Sequence, residues 1–138
     1  MQGRVKWVEG RSFVATSQSG HSLVIDGPKE AGGENLGPSP MEFVLLGAGG
    51  CSAFDVIEIL RKSRQDVTDC EVKLEAERAA EPPRVFTTLH LHFIVTGNRL
   101  KETVVERAVQ LSAEKYCSAT AMLGKTATVT HTFEVVAV

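Results

Sequence analysis

Three cysteines, Cys51, Cys70 and Cys117, are the residues of this chain best suited to covalent chemistry. A thiolate is a nucleophile and the first rung of an oxidation ladder, so a pair of thiols brought together could form a disulfide. Their spacing narrows the choices. There is no CxxC, and no two cysteines lie close enough in sequence for a zinc ribbon. An odd count without close pairs argues against a secreted disulfide framework. A lone cysteine is most often a small buried apolar residue, and the pattern by itself favours inert thiols over a redox pair. His90 and His92 stand two apart, a usable metal-ligand spacing, but no third ligand lies near, so both are expected to face solvent or an interface. His131 is expected to be a hydrogen-bonded core residue. Neither a metal nor an organic cofactor is expected, since the glycines form neither GxGxxG nor GxxxxGK[ST].

The elements that must position these residues follow from periodicity. RVKWV, SFVATS and HSLVID read as a meander of strands at about 2–9, 12–18 and 21–26. Residues 26 to 40, DGPKEAGGENLGPSP, are too long for a simple connection and read as either a disordered or a functional loop. It ends in Ser39-Pro40-Met41-Glu42, an S-x-x-E capping box with proline at the first helical position, which by itself explains Glu42. The helix that follows carries no charge from Phe43 to Phe54 and becomes amphipathic only from Asp55. A helix apolar all round must be covered all round, and in so small a chain a second subunit is the natural cover. Gly47, Gly49 and Gly50 each cost a helix ~1 kcal/mol relative to alanine, and small residues there would let another helix approach closely.

Two strands follow, at 70–78 and 84–96. In the first, Cys70, Val72, Leu74 and Ala76 form a dry face, with Cys70 as core, against a solvated run of Glu71, Lys73, Glu75 and Glu77. In the second, Val85, Thr87, Leu89, Leu91, Phe93 and Val95 share one face, and Phe86, Thr88, His90, His92 and Ile94 the other. A helix at about 99 to 115, a short helix in SATAML ended by Gly124, and a strand at 126–137 complete the order βββαββααβ. Cys51 lies within the central helix, ~16 Å beyond its start, whereas Cys117 lies where the start of the short helix could lower a thiol pKa. Strands in runs rather than strict alternation point to an α+β fold with an antiparallel sheet, and 138 residues to one domain spanning 1–138.

The composition, 43% hydrophobic and 23% charged with a net charge of −2, is that of an ordinary globular protein. No basic stripe interleaves with aromatics, so nucleic acid is not an expected partner. The first residues, MQGRVKWVEG, lack the apolar core of a signal peptide, and no uninterrupted run reaches the ~18 apolar residues of a membrane helix. The expected location is cytoplasmic, with no membrane partner.

SPMEFVLLGAGGCSAFDV at 39–56, together with AEKYCSATAML at 113–123 after a second helix, resembles the OsmC/Ohr family (osmotically inducible protein C and organic hydroperoxide resistance), nearest to its YhfA-like branch. The agreement in motifs and element order covers essentially the full chain. The resemblance implies an OsmC-like fold: an intertwined homodimer whose sheets wrap long central helices. It implies thiol peroxidase chemistry of a peroxiredoxin-like kind towards organic hydroperoxides, in defence against oxidative stress. In that scheme one cysteine attacks the peroxide and a second resolves the sulfenic acid as a disulfide, which an external dithiol reduces. The attacking cysteine falls on Cys51, the resolving cysteine on Cys117 and the motif glutamate on Glu42.

The resemblance also implies a thiolate-stabilising arginine from the segment before the central helix. Between Asp26 and Pro40 this chain has only Lys29, a point charge without the guanidinium fork, while Arg4 and Arg11 lie on or beside the first strands. Slower turnover than in a dedicated peroxidase is therefore expected. The competing reading is a non-catalytic dimeric protein that binds a small apolar ligand at the subunit interface. Glu42 precedes Cys51 by nine residues, which at about 100° per residue sets them on opposite helix faces with ~13 Å of rise between them. If Glu42 serves the thiol, it must serve that of the partner subunit.

Overall fold

In the computed structural model, which describes residues 1–138, the chain divides into two units, Met1–Val44 and Leu45–Val138. The first holds strands β1 (Gly3–Glu9), β2 (Ser12–Ser17) and β3 (Ser22–Ile25), paired antiparallel in the order β1-β2-β3. The β1–β2 turn places Gly10 at φ 53, a left-handed conformation that suits glycine. Its carbonyl accepts from Trp7 Nε1 at 3.0 Å.

The long connection after β3 is built around one carboxylate. Asp26 Oδ1 accepts from the amides of Gly27 (2.7 Å) and Glu34 (3.4 Å), and Oδ2 accepts from Leu36 N at 3.2 Å. The Gly27 amide, followed by those of Leu36 and Glu34, holds the Asp26 carboxyl below its ordinary value against the opposing effect of burial. A single 3-10 turn, Lys29–Ala31, is pinned by Arg11 Nη1 donating to the Ala31 carbonyl. Gly33 has no room for a side chain, since a Cβ there would run into the carbonyl of Gly27. Of the two readings offered by the sequence, disordered or functional loop, the first is excluded by this ordered, hydrogen-bonded course.

Helix α1 (Pro40–Lys62) begins with the expected capping box: Ser39 N donates to Glu42 Oε1 at 3.0 Å and Glu42 N to Ser39 Oγ at 3.4 Å. Within the second unit, Ala48, Ser52, Val56 and Leu60 recur every fourth residue and are fully buried, forming the stripe that enters the core. By length and composition α1 could cross a membrane, with a mean hydropathy of 1.8 over its best 18 residues. The sequence expectation concerns uninterrupted apolar runs, and none of those reaches that length. An uninterrupted apolar run stops at Asp55, whereas the average over the helix tolerates both Asp55 and Glu58.

The second sheet contains β4 (Asp66–Arg78), β5 (Phe86–Asn98) and β6 (Thr128–Ala137) in the order β4-β5-β6. β4 and β5 pair antiparallel, but β6 runs parallel to β5, so this sheet is mixed rather than wholly antiparallel. The helices between β5 and β6 form the crossover that a parallel pair requires. Leu89, Leu91, Phe93 and Val95 of β5 are fully buried and form the core with the α1 stripe and with Val105, Ala108 and Val109 of α2 (Glu102–Leu111). Each of the leucine, valine and phenylalanine side chains among them contributes ~1.5–3 kcal/mol of apolar burial.

The expected faces of β5 hold from Leu89 onward and invert before it. A bulge shifts the register between Glu77 and Arg78, so Phe86 is buried while Val85 and Thr87 are exposed. The second helix is shorter than the sequence suggests: α2 ends at Leu111, and Ser112–Tyr116 form a single π-helical turn before α3 (Ser118–Leu123).

Candidate active site

Cys51 and Cys117, set 66 positions apart, are near enough in the second unit for the Cys51 sulfur to act on the Cys117 thiol. Both are free thiols, Cys51 half-buried and Cys117 only 3% exposed. The π turn delivers Cys117 to this place. Its amide donates to the Ser112 carbonyl at 2.9 Å, five residues back, and the backbone then swings to an extended conformation (φ −73, ψ 103). That conformation makes Cys117 the N-cap of α3, with Sγ accepting from Thr120 N at 3.5 Å. A wide turn of this kind commonly marks a functional site.

The electrostatics separate the two thiols. Burial pushes the Cys117 thiol above its ordinary value; hydrogen bonds from Thr120 pull the other way, and the Cys51 sulfur adds to the rise. The expectation that a helix start lowers this thiol's pKa is corrected: the net effect is the reverse, because burial outweighs the cap. The Cys51 sulfur is thus a near neighbour of the Cys117 thiol. Cys70 lies apart from this pair on β4, opposite Val95, and burial followed by the Asp69 charge raises its pKa.

A buried polar cluster adjoins both cysteines along the chain: Ser52 follows Cys51, and the Ser112 carbonyl accepts from the Cys117 amide. Ser52 and Ser112 are fully buried, with their hydroxyls 2.9 Å apart, and Ser112 Oγ lies 3.1 Å from Asp55 Oδ2. A carboxylate only accepts, so Ser112 donates to Asp55 and Ser52 donates to Ser112. Asp55 borders an open cleft of about 360 Å³ that is also lined by Ile59, Leu111 and Tyr116. Sequence reasoning misses this cluster. A signal exists, since Ser52 is the one polar residue in the stripe of Ala48, Val56 and Leu60; its partner 60 residues away leaves none.

Glu42 belongs to the first unit, where Oε1 completes the capping box. The backbone N–H of Ser39, then its hydroxyl, hold the Glu42 carboxyl below its ordinary value. The histidines form a separate ladder on the outer face of the second sheet. Thr130 and Thr132 bond both ring nitrogens of His90 at 2.6 and 2.8 Å, and Thr132 and Glu134 those of His92 at 2.7 and 2.9 Å. No group of three or more His, Cys, Asp or Glu is arranged to hold a metal ion. His131 corrects the expectation of a hydrogen-bonded core residue: it stacks on Phe93 at 6.3 Å, and its buried Nε2 has no partner. Burial, and then the neighbouring charge of His90, lower its pKa, so the neutral ring is favoured.

Comparison with known proteins places this geometry in context. A family model described as "OsmC-like protein" matches residues 32–132. Protein YhfA of Escherichia coli (strain K12) is 59% identical over 137 residues, covering 99% of each chain. Among solved structures, a hypothetical protein from Aquifex aeolicus VF5 is 28% identical with a TM-score of 0.87, covering 99% of this chain and 96% of its own. The organic hydroperoxide resistance protein OhrB of Bacillus subtilis shares the fold at 17% identity and a TM-score of 0.65, covering 97% of this chain and 98% of its own. The order βββαββααβ and the α+β architecture agree with these folds, and the chain belongs to the OsmC family.

Proposed function

We propose that the protein is a cytoplasmic thiol peroxidase that reduces organic hydroperoxides through Cys51 and Cys117 and works as a homodimer. The observation that carries this reading is the asymmetry of two neighbouring thiols: Cys51 half-buried, and Cys117 buried with its sulfur capping α3. The Cys51 thiolate attacks one peroxide oxygen. A sulfur–oxygen bond forms, the oxygen–oxygen bond breaks, and the departing alkoxide takes a proton from water to leave as an alcohol. The Cys117 thiol then attacks the Cys51 sulfenic acid. Its proton leaves with the hydroxide as water, and a disulfide joins the two sulfurs. An external dithiol returns both to thiols and becomes a disulfide itself. Phe54, one turn from Cys51 and 81% exposed, offers an apolar wall to an alkyl or aryl group.

Family membership supports the reading, as do the names of relatives that share the fold, among them the OhrB hydroperoxide resistance protein. Arg11, beside the first strands, reaches the loop ahead of α1 and there bonds the Ala31 carbonyl. Reduced protein treated with one equivalent of cumene hydroperoxide should yield a Cys51–Cys117 disulfide by peptide mapping. Cys51→Ser should abolish peroxide consumption, Cys117→Ser should accumulate a sulfenic acid, and Cys70→Ser should leave the reaction intact. A Cys51 that stays a free thiol in excess hydroperoxide would sink the peroxidase reading and favour the ligand-binding alternative.

A further inference from the structure

We infer that Ser112, held by Ser52 and Asp55, is the positioning residue that sets the reach of Cys117 to Cys51. This rests on reading the two cysteines as a redox pair. Ser112 is tied in both directions. Its side chain is locked to α1 through the hydroxyl of Ser52, the residue next to Cys51, and through Asp55 one turn on. Its backbone carbonyl accepts the amide of Cys117 itself. One residue therefore links the neighbour of the first sulfur to the main chain of the second.

The π turn makes the link necessary. A π turn carries one more residue than a regular helical turn and is rare outside sites that need it. Neither Lys101, the N-cap of α2, nor Leu111, the N-cap of the π turn, makes a side-chain cap hydrogen bond. What holds the turn in place is the buried cluster: Ser52 donates to Ser112, and Ser112 donates to Asp55 at 3.1 Å, with the Ser52 carbonyl a longer second acceptor at 3.4 Å. A hydroxyl pair and a carboxylate in an otherwise apolar core carry a desolvation cost that a purely structural helix contact could avoid with alanine or valine. Their gain is directional: short polar contacts fix orientation where apolar packing would allow sliding. Disulfide formation needs such fixing, because the bond forms only within a narrow range of Cβ positions and dihedral angles.

The test measures geometry apart from peroxide chemistry. The wild type, Ser112→Ala, Asp55→Ala and Asp55→Asn are equilibrated in glutathione redox buffers, and the effective concentration of the Cys51–Cys117 pair is read from the fraction of disulfide. Ser112→Ala and Asp55→Ala should each lower it about tenfold, a shift of about 30 mV in reduction potential. Asp55→Asn keeps an oxygen acceptor for Ser112 and should stay near the wild type. In single-turnover reactions with cumene hydroperoxide, the two alanine variants should form the Cys51 sulfenic acid at the wild-type rate and resolve it more slowly, so that dimedone traps more of it. If Ser112→Ala does not fold, the variants at half-buried Asp55 decide the matter. A wild-type effective concentration in either folded alanine variant overturns the inference. Failure of wild-type Cys51 to react with hydroperoxide overturns the peroxidase reading alone, because the glutathione equilibrium still reports the positioning.

Discussion

Gly47, Gly49 and Gly50 share a sequence stretch but not a reason. A Cβ on Gly49 would stand 2.6 Å from Leu74 Cδ1, so this glycine admits β4 to the helix, whereas Cβ atoms at Gly47 and Gly50 would meet nothing within 4 Å of the same chain. Alanine should therefore act oppositely at the two kinds of position. Gly49→Ala should destabilise the fold by about 1–3 kcal/mol, because Leu74 must give way. Gly50→Ala should raise helix propensity by ~1 kcal/mol, and so stabilise an isolated chain, unless a second subunit occupies the space. Denaturation midpoints at several protein concentrations separate these cases. A destabilised Gly50→Ala whose midpoint depends on concentration would place the partner against that glycine. The residue scale is also where the sequence speaks to chemistry: motif resemblance singles out Cys51 and Cys117, and the Cys51 sulfur lies near enough to act on the Cys117 thiol. What sequence does not supply is the sign of the Cys117 shift, because local pattern shows the helix start and only the fold shows the burial that outweighs it.

At the scale of elements, the legible features are those written in local spacing. The capping box, the alternation of β4 and the buried stripe of α1 all follow periods of two or nearly four. The features that escape depend on a contact made elsewhere. The bulge opposite Arg78 flips the face of Phe86, the crossover makes β6 parallel, and the π turn cuts α2 short. The Asp26 loop belongs with these, since its order comes from three amides converging on one side chain. That order should be sensitive to acid. The carboxyl is held below its ordinary value of 3.8, so it contributes stability above that pH, and the contribution is lost as pH falls through the lower folded value. Amide exchange at Gly27, Glu34 and Leu36 should become less protected below pH 3.8, while the core amides of β5 stay protected. Asp26→Ala should produce the same loosening at neutral pH, with new proteolytic cleavage confined to residues 27–38. Unchanged cleavage in that variant would show that the loop is ordered by other means.

At the scale of the whole molecule, the question is what covers α1. Only 28% of its most apolar stretch is buried within the chain, leaving Leu46 52% and Phe54 81% exposed, with Met122 of α3 at 70%. Apolar patches of this kind mark an interface, and a second copy of the chain is the proposed occupant. Obligate dimers of this type bury roughly 2,000 Å² or more and often have no stable folded monomer. Sedimentation at low micromolar concentration should therefore show a dimer, and a folded monomer there would remove the basis of the assembly. Glu42 gives the dimer a functional test. The helical spacing read from sequence sets Glu42 and Cys51 on opposite faces, so any service Glu42 gives to the thiol crosses to the partner. Mixed dimers of Glu42→Gln chains with Cys51→Ser chains distinguish the arrangements. In such a dimer the only intact thiol sits on the Glu42→Gln chain, and the only intact Glu42 sits on its partner. If the carboxylate acts across the interface, that one site is complete and the mixed dimer should retain about half the wild-type activity. If it acts within its own chain, neither site is complete, and the mixed dimer should be no more active than the Glu42→Gln homodimer.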